Sequence, residues 1–184
     1  MERYAWVLDF LPAGRSTDRV PHKEPIAIAV GQDELKLLEV VLRPGTTLEP
    51  LTRLDLTPPE GSQVPPPPVD HVRRRIGFPE LTTASRSELP HALEGIVRAS
   101  PERFLKFFNE APALSRRFHM LELLPGIGKK TMWEVIEERR KKPFASFEEI
   151  ETRTRLRTPI LSVVERIEKE LSGEDEKYRL FVPR

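Results

Sequence analysis

A chain of 184 residues, 38% hydrophobic and 32% charged, can form one compact domain or two small ones, with real cores beneath a heavily charged surface. Its 30 Lys and Arg stand against 29 Asp and Glu, so a polyanion partner would have to be met by local segregation of charge, not by the net +1. With no cysteine, disulfides, thiolate metal sites and cysteine nucleophiles are excluded, and His22, His71, His91 and His119 are too scattered for a metal site; no cofactor is expected.

The first third predicts strands. Residues 3–11 place Tyr4, Trp6, Leu8 and Phe10 on one face and Ala5, Val7 and Leu11 on the other, both apolar, as in a small closed sheet. Pro12-Ala13-Gly14 ends this strand and 15–24 reads as a polar loop. Ile26-Ala27-Ile28-Ala29-Val30 is a second strand, Gly31-Gln32-Asp33 a turn, and 35–42 a third strand stopped by Pro44-Gly45. A weaker fourth covers 52–56. Short strands on short connections predict a small OB-like β-barrel over 1–60.

Residues 61–84 read as a proline-rich linker with a basic segment. Pro58-Pro59-Glu60-Gly61 and Pro65-Pro66-Pro67-Pro68 can continue neither ladder nor helix, and favour a stiff extended spacer over a ligand for a proline-recognition domain. The cluster Arg73-Arg74-Arg75 fits a solvated loop or helix end as well as it fits contacts to phosphate.

Over 85–173 the apolar period becomes helical. Ser85-Arg86-Ser87-Glu88 reads as a helix start leading to Leu89, Leu93, Ile96 and Val97. Ser100-Pro101-Glu102 starts another, with Phe104, Leu105 and Phe108 as its buried stripe. After Pro112, Leu114, Phe118, Leu121 and Leu124 predict a helix over 113–124.

The chemistry concentrates at Leu124-Pro125-Gly126-Ile127-Gly128-Lys129-Lys130-Thr131. Pro125 and Gly126 let the chain leave a helix sharply, Ile127 pins the turn to the core, and Gly128 offers backbone with no Cβ in the way. The helix that follows opens with unpaired N–H groups and a partial positive charge, a ready anion site. Lys129, Lys130 and Thr131 add charge and a hydroxyl. Together these make a helix-hairpin-helix signature, which grips a phosphate backbone without reading bases. Trp133 reads as a packing or surface residue near the turn, not a stacking one. The run Arg139-Arg140-Lys141-Lys142 suits a helix C-terminus on dipole grounds.

Ser146-Phe147-Glu148-Glu149 opens a short helix, and Thr158-Pro159 a last one with Ile160, Val163, Val164, Ile167 and Leu171 inward. The turn between them, Arg153-Thr154-Arg155-Leu156-Arg157, sits where a second hairpin falls but lacks the Gly-x-Gly. Its arginines Arg153, Arg155 and Arg157, like Arg73, Arg74 and Arg75, are candidate secondary phosphate contacts. Residues 174–184 form a tail that could add a strand. The expected fold is thus α+β in two domains, a small OB-like β-barrel and an all-α tandem helix-hairpin-helix domain.

The whole chain resembles an archaeal family whose members are expected to bind RNA, the domain-of-unknown-function family 655. The stretches that carry the resemblance include Tyr4-Ala5-Trp6-Val7-Leu8-Asp9, Asp70-His71-Val72-Arg73-Arg74-Arg75-Ile76, Ser87-Glu88-Leu89-Pro90 and Leu121-Glu122-Leu123-Leu124-Pro125-Gly126-Ile127-Gly128-Lys129-Lys130-Thr131-Met132-Trp133. Lys142-Pro143-Phe144-Ala145-Ser146-Phe147 extends it. The resemblance implies an OB-like barrel joined to a tandem helix-hairpin-helix. It favours RNA over DNA, since family genes lie near those for translation, transcription and rRNA modification. It carries over no catalytic residues. Pro65–68 looks like an insertion against the family pattern, and Met132 stands where the wider helix-hairpin-helix class has Ala.

The leading expectation is sequence-nonspecific binding to the backbone of structured RNA, or of DNA, with no enzymatic activity. A DNA-repair protein is one alternative. A hairpin glycosylase would carry an aspartate in a Gly-Pro-Asp context, where this chain reads Phe147-Glu148-Glu149-Ile150-Glu151. A scaffold docking on ribosomal or transcription components is the other. No stretch approaches the ~18 apolar residues of a membrane span, and the apolar start is cut by Asp9, too short for a signal peptide, so a cytoplasmic protein off the membrane is expected.

Overall fold

The computed structural model describes residues 2–15, 24–57, 67–174 and 177–183. The strands are β1 (Tyr4–Leu11), β2 (Ile26–Gly31), β3 (Leu37–Leu42), β4 (Arg53–Asp55) and β5 (Val69–Arg75). The helices are α1 (Thr83–Ala99), α2 (Pro101–Glu110), α3 (Lys129–Lys141), α4 (Phe147–Arg153) and α5 (Pro159–Ser172), with single 3-10 turns at Phe78–Glu80 and Met120–Leu123. The protein is therefore mixed α/β, and it divides into two compact units, Met1–Ala92 with Glu170–Arg184, and Leu93–Lys169. The expected loop at 15–24, Pro58-Pro59-Glu60-Gly61, and Pro65 and Pro66 of the proline run fall wholly or mostly outside the described residues.

The first unit is built on one antiparallel sheet of order β4-β1-β2-β3-β5. Its pleat sends Ala27 and Ala29 of β2 and Leu38, Val40 and Leu42 of β3 to one face, where Leu54 of β4 and Val69 of β5 join them in a single buried cluster. Strands at opposite edges can share one cluster only if the sheet curls, and alanines on the inner face leave room for the curl. Ile26, Ile28, Val30, Leu37 and Val41 on the other face are buried too, which is why both central strands read apolar throughout. Leu8 is the extra residue of a bulge, lying between the pairs Val7–Ala29 and Asp9–Ile28.

The curl stops short of a closed barrel. β4 has three residues and pairs with β1, β5 pairs with β3, and among the described strands these edges do not meet. The barrel expected over 1–60 is thus an open sheet. Its fifth strand comes from within 61–84, the stretch that composition marked as a linker. β5 escapes a reading by hydrophobicity because it is an edge strand whose Val69 is its one buried residue.

Carboxylates close the turns of this unit. Glu2 accepts hydrogen bonds from the amides of Asp33, Glu34 and Lys36 at 2.6, 2.9 and 3.1 Å, holding the β2–β3 turn in which buried Leu35 takes a positive φ of 57°. A Cβ on Gly31 would lie 2.1 Å from the Glu2 carboxyl carbon, so a side chain there would push the carboxylate off these amides. Thr82 caps α1 by accepting from the Ser85 amide and donates to Asp9 of β1 at 2.6 Å; the helix starts earlier than Ser85. In place of a terminal strand, the described tail is held by Glu170, which accepts from the amides of Leu180, Phe181 and Val182 at 2.8, 3.0 and 2.9 Å.

The helical unit packs Phe104, Phe108, Leu121, Leu124, Val135, Ile150, Val163 and Ile167 into its core. Arg139 donates to the carbonyls of Phe108 and Ala111, closing the end of α2, so the first residue of the basic run is structural. The helix expected over 113–124 is not there. After Pro112 the amides of Leu114 and Ser115 both donate to the Phe118 carbonyl, Ala113 bridges His119, and only Met120–Leu123 winds into a 3-10 turn. Leu114, which spacing placed in the core, is at the surface. A tight turn satisfied the backbone before a helix could.

Candidate nucleic-acid interface

The bend at Gly126 is fixed from beneath and open above. Ile127 is 6% exposed, and burying such a side chain is worth about 1.5–3 kcal/mol. Its amide donates to the Leu124 carbonyl at 3.2 Å. Gly126 has φ +83°, a conformation in which an L side chain is strained; Ser162 and Leu156 lie just beyond where its Cβ would point. Gly128 is extended, with φ −91° and ψ −177°, and caps α3 through its carbonyl, which accepts from Met132 at 2.9 Å. A Cβ added to Gly128 would meet nothing within 4 Å. Its absence therefore serves no contact within the described chain.

The first amides of α3 are bare. Among the described residues, no hydrogen bond is made by the N–H groups of Gly128, Lys129, Lys130 or Thr131. They converge at the positive end of a 13-residue helix. Two other amide clusters are filled from within, by Glu2 at the β2–β3 turn and by Glu170 in the tail, and the single amides of Gly77 and Ala145 are taken by Glu80 and Glu149. This bend carries no such plug.

The candidate side chains divide. Lys130 is exposed and without an ion pair among the described residues. Lys129 is bound to both oxygens of Glu122 at 2.9 and 2.8 Å and to the Arg117 carbonyl, so its charge is already matched. Burial alone would raise the Glu122 carboxyl, but bonds from Lys129 and from the His119 amide hold it below its ordinary value. Thr131 is mostly buried and faces the core, leaving its amide rather than its hydroxyl for a ligand. His119 caps the 3-10 turn by accepting from the Leu121 amide at Nδ1; burial, reinforced by Arg139, lowers its pKa.

The secondary candidates are mostly engaged. Arg153 donates to Glu138 and Glu149, to the carbonyls of Glu138 and Lys142, and lies over the Phe144 ring. Arg155 is held by Glu134, whose carboxylate accepts from its Nε at 2.7 Å and its amide at 3.0 Å; these bonds depress the Glu134 pKa. Arg157 is exposed and donates one bond to the Glu151 carbonyl. Arg73 and Arg74 lie on β5, not on a loop or helix end, and converge on buried Glu39 with second partners Glu24 and Glu80. Arg75 has no partner among the described residues. The structure brings these arginines into two separate places, one in each unit, and neither adjoins Gly128 through a described contact.

Sequence reasoning passed over Arg116 and Arg117, which it placed inside the helix expected over 113–124. Trp133, read as a packing or surface residue near the turn, is 55% exposed. The polar run Ser115-Arg116-Arg117 was the available signal against a helix packed on both sides.

Among the described residues no helix is long and apolar enough to cross a membrane. The family model described as a protein of unknown function, DUF655, matches residues 1–183. The uncharacterised protein MJ0038 of Methanocaldococcus jannaschii is 41% identical over 184 residues, covering 98% of this chain and 80% of that one. The crystal structure of Af1531 from Archaeoglobus fulgidus, itself a DUF655 protein, superposes with a TM-score of 0.87 at 39% identity, covering 99% of this chain and 100% of that one. With its sequence matched from end to end and its fold shared with a solved member, the chain belongs to the DUF655 family.

Proposed function

We propose that this protein binds nucleic acid, RNA in preference to DNA, by gripping the phosphate backbone without reading sequence. The open amides of Gly128, Lys129, Lys130 and Thr131 would hold a phosphate oxygen, with Lys130 supplying charge and Gly128 allowing close approach. The observation that carries this reading is the run of four amides, Gly128 to Thr131, that no group among the described residues satisfies, whereas the amide clusters at the β2–β3 turn and in the tail are filled by Glu2 and Glu170. We read the two helical hairpins as tandem helix-hairpin-helix units. In support, the buried positions Thr131, Met132, Val135 and Ile136 of α3 recur at the same spacing in α5 as Ser162, Val163, Arg166 and Ile167. The curled sheet we read as an OB-like half-barrel.

Gly128→Val is the test. The backbone there suits any L residue and an added Cβ meets open space, so stability should change by no more than about 1 kcal/mol. Binding to a fluorescent RNA hairpin should fall about tenfold or more, the scale of one or two lost bonds to a charged group. Wild-type affinity should decline with salt at a log–log slope of about −0.7 to −0.9 per phosphate contacted. A folded Gly128→Val protein that binds as well as wild type overturns the proposal, and tighter binding to duplex DNA of equal length overturns the preference for RNA.

A further inference from the structure

A groove lies beside the first bend. It is about 370 Å³, at the small end of sites that accept organic ligands, and Trp133, Met132, Phe118, Arg116, Arg117 and Lys129 line it. We propose that this groove takes an unpaired nucleobase, stacked on Trp133, from the strand whose phosphate rests on the α3 amides. The inference rests on the backbone reading above and adds a substrate class to it: single-stranded or bulged nucleic acid.

Three observations converge. Trp133 leaves 55% of its surface in water, and no hydrogen bond engages its indole N–H among the described residues. An aromatic ring held bare beside an anion site offers base stacking, which every base can use. Next, the groove is positive. Arg116 and Arg117 are exposed with side chains unpaired among the described residues, Lys130 stands nearby on the helix, and the one carboxylate lining the groove, Glu122, is matched by Lys129. An acidic strand carrying flat apolar bases fits that combination. Last, Trp133 follows Lys129 by one helical turn, on the same side of α3. Helical side chains lean toward the N-terminus, so the indole covers the turn that bears the bare amides and lies roughly 6 Å or less along the axis from them. The Arg117 carbonyl, bonded to Lys129 Nζ, ties the 113–119 loop to the same turn and keeps its arginines beside the ring.

A paired base is already stacked and cannot reach the indole. The test compares an unstructured single-stranded RNA with the same strand annealed to its complement, using the full chain. Trp133→Ala should weaken the single strand at least fivefold, the lower end of what one stacked base contributes, and leave the duplex unchanged. Trp133→Phe should recover much of the loss. Single-strand addition should quench wild-type tryptophan emission, and this quench should vanish in Trp133→Ala, where Trp6 remains. An equal loss on both nucleic acids, or no loss on either, overturns the stacking proposal. If Gly128→Val then still weakens both, the backbone reading survives without it; if neither variant weakens either, both readings fall.

Discussion

The two hairpins of the helical unit share a helical frame and differ in what occupies the bend. At the first, Gly126 and Gly128 expose amides that nothing in the described chain satisfies. At the second, the Arg155 amide and guanidinium are both taken by Glu134, which reaches across from α3. The comparison teaches that a helical hairpin leaves an electropositive bend whether or not it binds anything. The first bend stands apart in keeping four successive amides, Gly128 to Thr131, open together among the described residues.

The strongest way to break the contrast is to loosen the first bend. Ile127→Ala removes a buried anchor and should cost about 2–4 kcal/mol in urea unfolding. At temperatures where the variant is still folded, RNA affinity should drop with it, because the amides lose their fixed direction. Unimpaired binding would show that the bend need not be held rigid.

A smaller effect, but a sharper one, comes from opening the second bend. Glu134→Ala uncovers the amide and guanidinium of Arg155, so affinity for RNA should rise a few-fold and the salt slope should steepen by about 0.7, one further contact. No change in slope would mean that the second bend is closed by its shape and not by its carboxylate.

The smallest effect separates the bend from its support. Burial holds the folded-state pKa of His119 below that of the unfolded chain, so its contribution to stability is fully present above the unfolded value. That contribution is lost as pH falls from about 6.5 through the lower folded value. Thermal denaturation should show stability declining over this window in the wild type. His119→Asn, which can still accept at the cap, should flatten the decline. An unchanged profile would place the sensitivity at another group.

Much of the first hairpin was legible because its chemistry is local. Two glycines around one apolar residue, followed by a basic pair, describe a bend on their own. The closing of the second was not, since Glu134 and Arg155 lie 21 residues apart and nothing in either neighbourhood points to the other. The central strands could be read as short, nearly continuous apolar runs bounded by turn residues. β5 could not, because an edge strand with arginines outward resembles a loop until its partner β3 is in view. The spacing of Leu114, Phe118, Leu121 and Leu124 imitated a helix, yet the bonds from Leu114 and Ser115 to the Phe118 carbonyl form a compact turn instead. Periodicity reports which residues could share a face. It does not say that the backbone will make one.

The sheet unit is discontinuous, formed by the first 92 residues together with those from Glu170 onward. A ribosome therefore completes 93–169 before it delivers what the sheet unit lacks. Until residues 180–182 emerge, the Glu170 carboxylate, 1% exposed in the finished fold, has no amides from the tail to receive it. Assembly of this unit waits for residues 180–182, whose amides latch its buried carboxylate.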